Sequence, residues 1–165
     1  MIKVPNSWKP LLPGTKKFNG ISPNLVDQNS ILMIGADDSK LYVVEDLDRA
    51  ATATTTPERF YKKIQGQRDF SDVSGGFRGG AWVIRSPSGR IAYNSDVTQP
   101  NDWVIIDRDP DVKNITKIIS GVYNVYALSA FGNVYKRLGM DDVKTPGGSS
   151  WRQLLSGVKD MDDCK

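Results

Sequence analysis

The sequence predicts an all-β fold assembled from repeated four-stranded sheets. Three observations carry this: a recurring aromatic-led segment, an apolar and polar alternation of period two, and a turn motif at a matching place in each repeat. The aromatic starts are Trp8 in "SWKPLLPG", Phe60 in "RFYKKIQG", Trp103 in "NDWVIIDR" and Trp151 in "SWRQLLSG", 43 to 52 residues apart. They divide a single repeat domain into units of about 1–56, 57–100 and 101–149, with a partial unit 150–165.

Each start reads as a short strand. Three of the four run from the aromatic to apolar residues and then a Gly; after Trp103, "DRDPDV" stands in place of the Gly turn. A second strand follows at "FNGIS", "DFSDVSG", "NITKIISG" and, opening a fourth unit, "GVKDM".

A hairpin comes next. Leu32 and Ile34 precede "ADDSK", with Leu41 and Val43 after it; Trp82 and Ile84 precede "SPSGR", with Ile91 and Tyr93 after it. Val125 and Ala127 precede "AFGN", with Val134 and Tyr135 after it. Alternation around a tip of Gly, Asn, Asp or Ser is a hairpin signal, and its recurrence at one offset is stronger than any single copy. Tyr42, Tyr93 and Tyr135 all fall in the return strand, and polar loops of varying length follow. No amphipathic helix is expected, since Gly157 and the parallel with "KPLLPG" make "RQLLSGVKDM" a strand.

Four short strands per repeat is the anatomy of a propeller blade, whose two apolar faces are buried only by neighbouring blades. The expectation is a β-propeller-like fold of about three four-stranded blades plus the start of a fourth, completed by oligomerisation or a partner. Edges and apolar faces are expected to stay open at both ends, and open edges recruit other chains.

Composition narrows the function. The chain has 165 residues, 39% hydrophobic and 25% charged, in the range of globular proteins that bury a core. A net charge of +3 is spread along the sequence rather than clustered, which argues against nucleic acid as a partner. No apolar run approaches the roughly 20 residues needed to span a bilayer. The N-terminus lacks a signal-peptide pattern and the one cysteine, Cys164, forms no intrachain disulfide, so an unexported protein is expected.

A Trp-led strand, a Gly turn, a strand near "ISG", an apolar pair as in "VYAL", a Gly-Asn hairpin and then "VYKR" together resemble the repeat of tectonin-type β-propellers. The amide and acid before Trp in "QPNDW" are similar to the tachylectin propeller. The resemblance implies recognition or scaffolding rather than catalysis: such proteins serve as glycan-binding lectins, and related repeats occur in phage and host interaction proteins.

The candidate chemistry is sparse. With no histidine, the commonest general base is missing, along with Ser-His-Asp and Cys-His arrangements. Carboxylate pairs at Asp37 and Asp38, Asp141 and Asp142, and Asp162 and Asp163 read as solvated loop charge. Asp107, Asp109 and Asp111 alternate as a calcium loop does. Val112 and Ile118, however, stand where an EF-hand needs its Gly and its bidentate Glu. "SGGFRGGAW" lacks the Walker Lys and is followed by a strand, so it reads as a connection or bulge. Should a small ligand bind, Phe77, Arg78 and Trp82 are the candidate contacts; Trp8, Leu11, Leu12, Trp151, Leu154 and Leu155 are the candidate partner edges. Neither a metal nor a cofactor is expected.

The leading expectation is a non-catalytic structural or adaptor component of a larger assembly, a virion part such as a bacteriophage tail protein, assembled in the host cytoplasm from other protein subunits. The alternative is a cytoplasmic glycan-binding lectin.

Overall fold

A computed structural model describes residues 16–23, 29–52, 61–64, 69–76, 79–97, 99, 103–106, 112–121, 123–141 and 144–161. They form three antiparallel sheets of four strands. The first holds β1 (Phe18–Pro23), β2 (Ile31–Gly35), β3 (Leu41–Val44) and β4 (Tyr61–Lys63). The second holds β5 (Phe70–Gly75), β6 (Ala81–Arg85), β7 (Arg90–Asn94) and β8 (Val104–Ile105). The third holds β9 (Ile115–Ser120), β10 (Val125–Ser129), β11 (Val134–Leu138) and β12 (Ser150–Leu155). Strands pair in chain order within each sheet, the propeller-blade meander. The aromatic-led segments at Phe60, Trp103 and Trp151 supply the last strand of the preceding sheet. The equivalent segment at Trp8 lies outside the described residues.

The three hairpins share a tip geometry, and the tip receives the chain on its way to the next sheet. Ser39, Gly89 and Gly132 all have positive φ. The Phe70 amide donates to the Ser39 carbonyl at 2.8 Å, and the Val158 amide donates to the Gly132 carbonyl at 3.0 Å. Gly89 lies against Asn114 and Ile115 in the same way. Residues after β12 thus take the path that leads into β5 and β9, although "GVKDM" does not form the expected strand.

Strand pleat sends alternate residues to opposite faces, and here both faces are apolar because each sheet meets a neighbour. Call the face toward the next sheet in sequence the forward face. Leu32, Ile34, Leu41 and Val43 on the first sheet meet Val73, Ala81, Val83 and Ala92 on the second. Trp82, Ile84, Ile91 and Tyr93 on the second meet Ile118, Val125, Ala127, Tyr135 and Trp151 on the third.

The rear face of the first sheet departs from expectation. A helix, α1 (Leu47–Thr52), lies between β3 and β4, where no helix was predicted. Asp46 caps it, its Oδ1 accepting the Arg49 amide at 2.9 Å, and Asn29 Oδ1 accepts the Asp48 amide at 3.1 Å. One capped turn is too short to show helical periodicity. Its Leu47 and Ala50 pack with Ile31, Met33 and Val44, so the centre of this face is covered rather than open, while Ile21 beside Met33 stays exposed. No described helix is long and apolar enough to cross a membrane.

Candidate functional site

The first two sheets hold their successors with polar clasps as well as apolar packing. Ser22 Oγ accepts the Gly75 amide at 2.8 Å, and Ser74 Oγ accepts the Ser120 amide at 2.8 Å. Asp72 Oδ2 accepts the Ile118 amide at 2.8 Å, and Ser120 Oγ donates to the Gly75 carbonyl. These bonds run between β1, β5 and β9, so the first strands of the three sheets line one side of the stack.

Comparing equivalent rows shows what changes in the third sheet. Across the first sheet's forward face one row reads Ser22, Leu32, Val43, Lys62; across the second it reads Ser74, Trp82, Tyr93, Val104. Across the third it reads Ile119, Tyr126, Lys136, Arg152. The serine acceptor is replaced by an isoleucine, and the apolar residue of the third strand by a lysine. Lys117 stands where Asp72 provides the other clasp. The neighbouring row is Lys117, Leu128, Val134 and Leu155.

Two cations therefore face one another across β11 and β12. Lys136 and Arg152 are direct cross-strand partners and so share the forward face, an arrangement that like charges make unfavourable. Lys136 Nζ sits 5.9 Å from the Tyr126 ring centre, which offsets part of this cost. Lys117 is paired with Asp160 at 3.0 Å.

The sheet's edge is as distinctive. The outer strands β4 and β8 have three and two residues, short edges that resist further pairing, whereas β12 has six. Along it Arg152 to Leu155 are all exposed, Leu154 at 41% and Leu155 at 59%. Among the described residues no strand pairs with its outer side.

Of the residues singled out in the sequence, Leu154 and Leu155 lie on this edge. Trp151 faces inward, its ring 6.4 Å from that of Trp82, with the Arg137 guanidinium 5.1 Å from its centre. Arg137 is buried and donates to the Gly147 and Gly148 carbonyls at 2.8 and 3.1 Å. Trp82 is 1% exposed and packs on Tyr93, so it belongs to the seam between sheets. Phe77, Arg78, Trp8, Leu11, Leu12, Asp107, Asp109 and Asp111 lie outside the described residues. Lys136 and Arg152 were not singled out, although Lys136 interrupts the apolar alternation of its strand in "VYKR".

Asp38 is more than loop charge. It accepts from the Tyr42 hydroxyl at 2.6 Å and the Lys40 amide at 3.2 Å, with Lys63 at 3.2 Å and Lys16 at 3.5 Å. Partial burial opposes ionisation, but these donors and cations outweigh it and hold the carboxyl well below the usual range. Burial, and donation to Asp38, push the Tyr42 hydroxyl up. The network fixes the first hairpin tip.

The three sheets have the fold of β-propeller blades, and solved structures share it. YCF48 from Cyanidioschyzon merolae superposes with a TM-score of 0.58 at 18% identity, over 87% of this chain and 38% of that one. A structure titled YCF48 bound to D1 peptide gives 0.56 at 19% identity, over 86% and 42%. A nidogen/laminin complex gives 0.60 at 12% identity, over 86% and 49%. The chain thus spans less than half the length of each. At the level of sequence, no family model matches it and no curated protein does.

Proposed function

We propose that this chain is a non-catalytic structural or adaptor protein that joins other protein chains through its blade surfaces, as a component of a virion and specifically of a bacteriophage tail. One observation carries the reading: α1 covers the centre of the first sheet's rear face, while the third sheet presents a long edge at β12, unpaired among the described residues, with Leu154 and Leu155 exposed. Such an edge is a template for another chain. The similar propellers support a protein partner, since their titles name the D1 peptide in one case and a nidogen/laminin complex in another.

Mass spectrometry of particles purified from cells that make this protein tests the proposal. Recovery at fixed stoichiometry with other virion proteins is expected. Recovery only as a free monomer overturns it, and saturable binding on a glycan array would then favour a lectin.

A further inference from the structure

We propose that the outer edge of β12 receives an extended segment of a partner protein, added as a fifth strand, in which a carboxylate lies opposite Arg152 and an apolar side chain opposite Leu155. This rests on the protein-joining role above and specifies the chemistry of its partner.

The two rows of the third sheet's forward face set that pattern. One row ends in Lys136 and then Arg152, two cations in register without a carboxylate partner among the described residues. The other ends in Val134 and then Leu155, an apolar row whose last member is 59% exposed. A fifth strand extends each row by one residue. An acidic side chain in the first relieves the repulsion between Lys136 and Arg152, and an apolar one in the second covers Leu155. Main-chain hydrogen bonds to the outer edge of β12 supply affinity and the two side chains supply choice.

The same features exclude other occupants. Another blade of the kind within this stack would need acceptors on the forward face, where Ile119 and Lys117 replace the Ser22 or Ser74 and Asp72 that clasp the earlier seams. In a second copy of this chain, packing forward face to forward face would set Lys136 and Arg152 against their own equivalents, and packing forward face to rear would meet the α1 cap. A nucleic-acid strand would satisfy the cations but leave Leu154 and Leu155 uncovered.

Fluorescence anisotropy on the full chain provides the test. The probes are labelled eight-residue peptides with Thr at every other position and Glu and Leu taking turns between them, so that both fall on one face; the same peptide with Lys in place of Glu; and an oligothymidylate. The Leu-Glu peptide is expected to bind at least tenfold tighter than the Leu-Lys peptide, and R152E to reverse that order. N-methylation of alternate residues should abolish binding for one of the two alternations only. Equal affinity for both peptides, binding that survives both methylation patterns, or binding of the oligothymidylate alone would each overturn the proposal. If R152E fails to fold, R152Q should still reduce the preference by several-fold. Failure of the peptide test while the protein remains a stoichiometric particle component refutes only this docking chemistry; a free monomer in the cell refutes the assembly role itself.

Discussion

The indoles of Trp82 and Trp151 meet edge to face, with ring centres 6.4 Å apart, in the seam between the second and third sheets. The first is a hairpin residue of one blade and the second comes from the outer strand of the next. Their contact ties two units that are far apart in sequence.

Trp82→Ala should cost about 3–5 kcal/mol, because the site is closed on all sides and relaxes poorly. Trp151→Ala should cost a similar amount, with a coupling of roughly 0.5–1.5 kcal/mol between the two. Urea unfolding of the single and double variants measures both. A small, additive loss would mean the seam does not hold the stack together.

Ser22→Ala and Ser74→Ala remove the acceptors for the Gly75 and Ser120 amides. Each should destabilise by about 1–3 kcal/mol, since an inter-sheet amide is left unpaired. Hydrogen exchange at those amides should quicken in the matching variant alone. Unchanged protection at both would show that water or another acceptor takes over.

Asp38 confers a pH dependence of known sign. Its carboxyl is held well below the ordinary range in the fold, so the unfolded chain takes up the proton first as pH falls through roughly 4. The stabilisation is complete above that pH and fades progressively below it. Denaturation midpoints should therefore fall more steeply toward low pH for the native protein than for D38N; parallel curves would contradict the network.

Gly132 has a φ of +80°, and a Cβ there would lie 2.9 Å from the Val158 carbonyl oxygen. Gly132→Ala should cost about 1–2 kcal/mol for the left-handed backbone and push the 157–160 segment off the hairpin tip. Faster exchange at the Val158 amide, which donates to Gly132, is the readout. Retained protection would place the segment's anchor elsewhere, at the Lys117 to Asp160 pair.

Much of the fold was legible because period-two patterns and turn residues are local signals. The three hairpins and the strands beginning at Phe18, Phe70 and Ile115 fall where the sequence puts them. Which face a residue takes was less legible. Tyr42 and Tyr135 point to the rear of their sheets and Tyr93 forward, since an offset of one residue in a return strand reverses its face. Leu154 and Leu155 were recognisable as an edge, whereas Lys136 and Arg152 become neighbours only through the pairing of β11 with β12.

By itself the sequence determined the three hairpins and most of the strands that make three four-stranded sheets, though not the failure of "GVKDM" to form one, because hairpins and strands depend on residues a few positions apart. The tertiary structure decided that α1 covers the centre of the first sheet's rear face, that Trp82 and Trp151 share one seam, and that the third sheet lacks the clasps of the others. Those relations, most of them between residues dozens of positions apart, are set by strand register and by which faces the sheets bury, and no local pattern encodes them.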